Sequence, residues 1–216
     1  ESTGDLVWIA EADDDCAPEF LERMVAQFSN PDVVLAYCQS RQIDENGREI
    51  APDYLTYTAI VSPTKWLETY VRSGVDEIRD SLAVKNTIPN VSAVVMRRVD
   101  LSGIVTQLLS LRNTGDYLVY VHALERGSVA FVADSLNAHR RHAESVTSFR
   151  GGLNLMRELL VVQQYVADRH GITSATRERR EAERQLSYEY LGLHTDGPTA
   201  YTDHPDLKLD SLVSDR

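Results

Sequence analysis

The apolar run "LVWIA" (6–10) is unbroken and bounded by polar turn residues, the pattern of a strand covered on both faces. Pro18 suits the first turn of a helix, where its missing N–H costs nothing, and Phe20, Leu21, Met24, Val25 and Phe28 then recur at helical spacing. "DVVLAYCQS" (32–40) predicts a second buried strand, and Asn46-Gly47 a hairpin-type turn after it. From Tyr54 to Val84 the pattern is mixed. Trp66, Leu67, Tyr70 and Val71 suggest a short helix ended by Gly74, within a surface excursion.

"NVSAVVMRR" (90–98) reads as a strand, "LSGIVTQLLSL" (101–111) as a helix, and "GDYLVYVHALERG" (115–127) as a clearer helix closed by Gly127. "SVAFVADSLNAHRRH" offers two short strands, or a strand and an extended turn. Two helices follow, over 153–171 and 176–194, after a linker at Gly151-Gly152. The expected division is therefore 1–150 for an α/β unit and 151–216 for a helical extension. There is no internal repeat and no low-complexity segment.

The 216 residues are 43% hydrophobic and 25% charged, an ordinary globular balance with enough chain for one sizeable core. A net charge of -11, with no Lys/Arg-rich run, argues against nucleic acid as a partner. Cys16 and Cys38 lie beside apolar segments, where free thiols pack as small hydrophobes, and a reducing, cytoplasmic setting is expected. No apolar run approaches the roughly 18 to 20 residues that span a bilayer, so the expectation is a soluble piece. The start, Glu1-Ser2-Thr3-Gly4-Asp5 without an initiator Met, reads as a cut from a longer chain.

The chemistry concentrates in "WIAEADDDCAPEF" (8–20), where Glu11, Asp13, Asp14 and Asp15 follow the first strand. Like charges this close repel, so unless they face open water a cation is expected to compensate them. Oxygen-only ligands at this density suit Mg²⁺ or Mn²⁺ better than zinc, and strand ends in α/β sheets are where ligands bind. A solvated loop favoured by the next helix dipole is an alternative. An EF-hand loop is not, since Pro18 stands at the sixth position counted from Asp13, where glycine is needed. An aspartyl-phosphate phosphatase also begins with an acidic strand end, but partners for its nucleophile are not identifiable downstream.

"GDLVWIAEADDD" resembles the metal-binding segment of the family 2 glycosyltransferases of the GT-A fold, whose strand ends in an Asp-x-Asp motif. Glu11-Ala12-Asp13 would occupy that motif, with Glu11 where the family usually has Asp. Two further stretches match in order: "NTGDYLVYVHALERG" resembles the segment whose helix-opening acid is the catalytic base, and "FVADSLNAHRRHAESVT" resembles the closing "R-x-H…SVT" stretch.

The resemblance implies a GT-A-like mixed sheet flanked by helices and lacking its N-terminal nucleotide-binding half. It also implies an inverting, metal-dependent sugar transfer from a nucleotide-sugar donor to a glycan, lipid-linked or other hydroxyl acceptor, as in bacterial cell-wall or surface polysaccharide synthesis. Asp116 is the implied base; a first-turn helix acid capped by Asn113 or Thr114 is the plainer reading. Asp13, Glu11 and Asp14 are the implied holders of Mn²⁺ or Mg²⁺, joined by His142 as a third ligand or a diphosphate contact. Arg140 and Arg141 are the implied contacts of the leaving group, with an exposed basic turn as the alternative. Strand alternation sends Arg140 and His142 to one face and His139 and Arg141 to the other. Asn90 and Ser92 stand where the acceptor side begins, or else act as caps. His122, inside an apolar helix, reads as a core or surface histidine.

With the nucleotide-binding half absent, the expectations are exposed sheet edges, self-association, and a folded but inactive fragment. For the full-length protein the inner face of a membrane is an alternative location. The rival class is a non-catalytic glycosyltransferase-like binding or structural domain.

Overall fold

The computed structural model describes residues 3–141 and 152–208. Its elements in chain order begin with β1 (Leu6–Trp8), β2 (Asp15–Cys16), α1 (Phe20–Ala26), β3 (Val33–Ile43) and β4 (Glu49–Ala51). α2 (Leu55–Thr58), β5 (Tyr70–Ser73) and α3 (Gly74–Glu77) follow, and α3 runs into a π-helical turn at Ile78–Leu82. Then come β6 (Val94–Arg97), α4 (Val105–Ser110), α5 (Gly115–Leu124) and β7 (Ser128–Arg140), and last α6 (Gly152–His170) and α7 (Ser174–Tyr190).

The described residues form a seven-stranded mixed sheet centred on β3 and β7, which run parallel from Val33 and Ser128 to Ile43 and Arg140. Four shorter strands flank this pair end to end, antiparallel to it: β6 and β4 lie along β3, and β5 and β2 along β7; β1 pairs antiparallel with β6 beyond and so runs in the direction of β3. Strand alternation divides the core into two layers. Leu35, Tyr37, Val94, Met96, Val129 and Phe131 face α5 and the π-turn, and Val162 and Val166 of α6 join that layer. Ala36, Cys38, Val95, Ala130 and Val132 face Phe20 and Met24 of α1. A small third cluster ties Met156 and Leu160 to Tyr188, Leu191, Tyr201 and Leu207.

Several expectations need correction. The first strand stops at Trp8; as the end strand of the sheet it is half-buried, and Ile9 is 49% exposed. On α1 only Phe20 and Met24 are buried, because Leu21 and Val25 point away from the sheet. Residues 54–84 are not a surface excursion: Tyr54, Val61, Trp66, Ile78, Leu82 and Val84 are buried. Several of their polar groups pair inside, with the Trp66 indole donating to Tyr37 Oη (2.7 Å), Tyr37 meeting Tyr70 (3.0 Å), and Lys65 bonding Glu77 and Ser81. Within that segment Tyr70–Ser73 is a strand, and Gly74 opens a helix instead of closing one.

Residues 128–140 make one long strand instead of the two short strands, or strand and extended turn, expected there, and its register against β3 shifts around Gln39. The turn at Asn46-Gly47 is as expected, with Gly47 at φ 79° and the Asp44 carboxylate accepting from Asn46 N and Arg48 N. Helices over 115–124, 152–170 and 174–190 match their sequence patterns closely. No described helix is long and apolar enough to cross a membrane.

Gly74 sits where the chain passes from β5 to α3, its N–H donating to Gly127 O at 2.9 Å. A Cβ there would lie within the contact distance of the Leu124 and Gly127 carbonyl oxygens, both backbone atoms. Gly74→Ala is expected to lower stability by about 3 kcal/mol or more. Gly103→Ala, where the added Cβ meets nothing, should change it by no more than about 0.5 kcal/mol. Denaturant midpoints of the two variants check this.

Candidate functional site

The acidic loop is held from beneath by buried polar side chains. The Trp8 indole donates to Ser92 O (2.8 Å), and Glu11 N donates to Ser92 Oγ (3.0 Å), so β1 and the start of the loop are tied to the segment before β6. Asp14 is turned inward: its Oδ1 accepts from Arg140 N (2.8 Å) and its Oδ2 from Asn90 Nδ2 (2.9 Å). The same Asn90 amide reaches Asn137 Oδ1 (2.8 Å), while Asn137 Nδ2 donates to Asp15 O (3.2 Å) and Ser40 Oγ to Asn137 Oδ1 (2.9 Å). Asn90 and Ser92 are therefore buried supports of the loop. Arg140 closes the arrangement from outside, its Nε donating to Asp13 O (2.7 Å) and its Nη1 to Asp44 O (2.8 Å), which links loop and hairpin.

Glu11, Asp13 and Asp15 are exposed and Asp14 is half-buried. Partial burial, then repulsion from Asp14, Asp13 and Asp116, raises the Glu11 carboxyl above its ordinary value. As donors Glu11, Asp13 and Asp15 fit a hard divalent ion in kind, being carboxylates on exposed residues. In number they fall short of a cage: among the described residues no group of three or more His, Cys, Asp or Glu is arranged to hold a metal. His142 lies outside the described residues.

Asp116 stands in the first turn of α5. It is packed among protein atoms yet keeps part of its surface open, and this burial lifts its carboxyl from an ordinary 3.8 to about 6. Smaller opposing effects come from backbone hydrogen bonding and from Asn86, whose Nδ2 donates to Asp116 Oδ2 at 3.3 Å. Asp116 repels Glu11 and contributes with it to raising the Tyr120 hydroxyl, so the base candidate lies within electrostatic reach of the acidic loop. The loop before α5 is gathered on Glu158 of α6. Its Oε2 accepts from Asn113 N (2.7 Å), Thr114 N (3.1 Å) and Thr114 Oγ1 (3.3 Å), and its Oε1 from Arg112 N (3.1 Å) and Asn113 Nδ2 (2.9 Å). Neither Asn113 nor Thr114 caps the helix through its side chain.

Arg141 and His139 both reach Tyr54, His139 Nδ1 lying 2.5 Å from its hydroxyl, and the Arg141 charge partly offsets the burial that raises Tyr54. His122 is buried in α5 with Nε2 at 2.8 Å from Asp100 O, a core histidine as expected. At the opposite end of α5 from Asp116, an open depression of about 510 Å³ is lined by Val75, Glu125, Arg126, Arg169 and His170. Glu125 there pairs with Arg169 (2.5 Å) and His170 (3.0 Å), and nothing in it faces the acidic loop.

Asn86, Asn137, Tyr54 and Glu158 are the residues of this site that sequence reasoning missed. Asn137 had a signal, a lone amide in an apolar strand. Glu158 had none, since an acid in an amphipathic helix reads as surface.

Comparison with curated proteins gives no match. Residues 1–98 match the family model described as Glycosyl transferase family 2, a span that takes in the acidic loop, Asn90 and Ser92 and ends before Asp116. Together with a mixed sheet flanked by helices, which is consistent with a GT-A-like fold, this match supports a family 2 glycosyltransferase domain, and so a transferase, at this end of the chain.

Proposed function

We propose that the protein transfers a sugar from a nucleotide-sugar donor to a hydroxyl of a glycan or lipid-linked acceptor, with inversion at the anomeric carbon. The observation that carries this reading is Asp116, partly open, within electrostatic reach of Glu11 in the acidic loop, and with a carboxyl that burial raises to about 6. A group with that value is largely ionised at neutral pH and basic enough to accept a proton. In the proposed step the acceptor oxygen bonds to C1, the bond from C1 to the diphosphate breaks, and the acceptor proton passes to Asp116. One displacement inverts the centre.

Asp13 and Glu11 are the proposed holders of Mn²⁺ or Mg²⁺, with donor oxygens completing the set; when bound, the ion would neutralise charge on the departing diphosphate. Asp14 supports the loop through Asn90 and the Arg140 backbone. The Arg141 guanidinium, half-exposed beside Tyr54, is the proposed contact of the leaving group.

In the full-length protein, Asp116→Asn is expected to lower turnover of nucleotide sugars by about 100-fold or more, and Asp13→Ala to abolish the part that depends on Mn²⁺. Release of nucleoside diphosphate from a panel of donors measures both. Unchanged rates in both variants would point to a non-catalytic binding module. Calorimetry gives a separate readout of the ion, which should bind wild type in the presence of a nucleoside diphosphate and bind Asp13→Ala more weakly; equal affinities would remove Asp13 as a ligand.

The pH dependence has a definite sign. A base must be ionised, so the rate should fall as pH drops below about 6 and level off above it. For stability, the folded carboxyl binds its proton more tightly than the unfolded one, so folding is favoured at low pH and loses stability as pH rises from about 4 through 6. Asp116→Asn should therefore be more stable than wild type at pH 7 to 8, by about 1 to 3 kcal/mol, while being inactive. Thermal melts at pH 4 and pH 8 check it: the difference should appear at pH 8 and shrink at pH 4.

A further inference from the structure

The two C-terminal helices meet the surroundings of Asp116 at several separate points. On α6, Glu158 gathers the N–H groups of residues 112–114, directly before the helix that carries Asp116. Gln163, also buried on α6, donates through Nε2 to Val84 O (2.6 Å) and accepts through Oε1 from Arg184 Nε of α7 (2.7 Å). The next residue, Lys85, is buried and pairs with Glu183 of α7 at 2.8 Å, both side chains only about a tenth exposed. Its ammonium lies 3.7 Å from the centre of the Tyr57 ring, and Tyr57 Oη donates to Asn86 O (2.9 Å). Asn86 then donates to Asp116. Residues 84, 85 and 86 are thus held in succession by α6, by α7 and by Tyr57, and the last of them bonds the carboxylate.

We propose that α6 and α7 position Asp116: Glu158 fixes the start of the helix that carries it, and Gln163 with the Glu183–Lys85 pair fixes the Asn86 amide that bonds it. The proposal rests on the reading of Asp116 as the base and makes these four side chains positioning residues. Burial of an ion pair is poor value as an adhesive, since apolar side chains of similar volume often hold elements together as well or better. What a pair with fixed geometry adds is orientation. The bond it serves is 3.3 Å long, beyond the usual range for N–H···O, so a small displacement breaks it. Misplacement of a reacting group by about 1 Å can cost 100-fold in rate. The titratable groups whose protonation responds to the Asp116 charge are Glu11 from the acidic loop, Tyr120 from its own helix, and Tyr57 from α2, which also feels Glu183.

The test is a ¹³C-carboxyl NMR titration of Asp116 in this chain, with the resonance assigned by its loss in Asp116→Asn. Lys85→Met/Glu183→Leu keeps the volume apolar and should melt near the wild-type temperature, yet move the Asp116 midpoint upward toward that of Asn86→Ala. Glu158→Gln should speed amide exchange at Gly115 to Leu118 while the β3–β7 amides stay protected. Should the double variant fail to fold, Glu183→Gln serves in its place with the same expected upward shift. Wild-type titration and wild-type exchange in the variants that fold would overturn the proposal.

In the full-length protein the same variants should lower kcat by about 10- to 100-fold with KM for the donor little changed, and an unchanged kcat would count against the proposal. Asp116→Asn separates the two readings. Activity in that variant removes the base assignment, whereas its inactivity alongside unaltered titration in the positioning variants removes only the positioning.

Discussion

A carboxyl group drawn away from water has to find hydrogen-bond donors inside the protein, and the supply of donors differs sharply among the acids that matter here. Glu158 meets five, three of them backbone N–H groups. Asp14 meets the Asn90 amide and the Arg140 backbone. Asp116 has one side-chain donor, Asn86, at the end of a long bond, beside backbone hydrogen bonding in the first turn of its own helix. The first two acids fasten loops and helix starts. The third is left with a carboxyl that burial pushes into the range where a proton moves readily at neutral pH. The same chemical group thus serves twice as a rivet and once stands with its carboxyl raised by burial, ahead of the smaller opposing pull of its hydrogen bonds.

The distribution of donors follows from the topology. β3 and β7 run side by side through the centre, and their C-terminal ends arrive together at the acidic loop. Ser40 and Asn137, neighbours across that pair, supply buried polar atoms where the apolar layers end. From there Asn90 and Arg140 carry the connection to Asp14 and the hairpin. The acidic loop is therefore an extension of the sheet's own hydrogen bonding, while α5, which carries Asp116, packs in the layer of Leu35 and Tyr37.

Continuous apolar runs made α5 and the inner strands legible, because these elements are covered on more than one side. The acidic loop was legible because four carboxylates after an apolar run are hard to place otherwise. Residues 54–92 were not legible. Their burial rests on Trp66, Tyr37 and Tyr70 exchanging hydrogen bonds and on Lys65 and Lys85 finding acids, and such pairings leave no periodic trace. Asn86 and Tyr57 fall in that stretch. Glu158 and Glu183 were hidden differently, since in an amphipathic helix an inward acid with a partner looks like an outward one with none. Asp116 stood out through family resemblance, its helix position alone being equally that of an ordinary first-turn acid.

The parallel pairing of β3 with β7 carries a consequence for how the protein comes into being. Leu35 is hydrogen-bonded into register with Val129, a partner that the ribosome delivers about ninety residues later. Until then the growing chain has the acidic loop, α1 and both outer strands on the β6 side, but the central strand has one long flank without a neighbour. Parallel contacts so distant in sequence form slowly, because a large loop must close before any of them is rewarded. The segment that matches the family model ends at residue 98, well short of that closure.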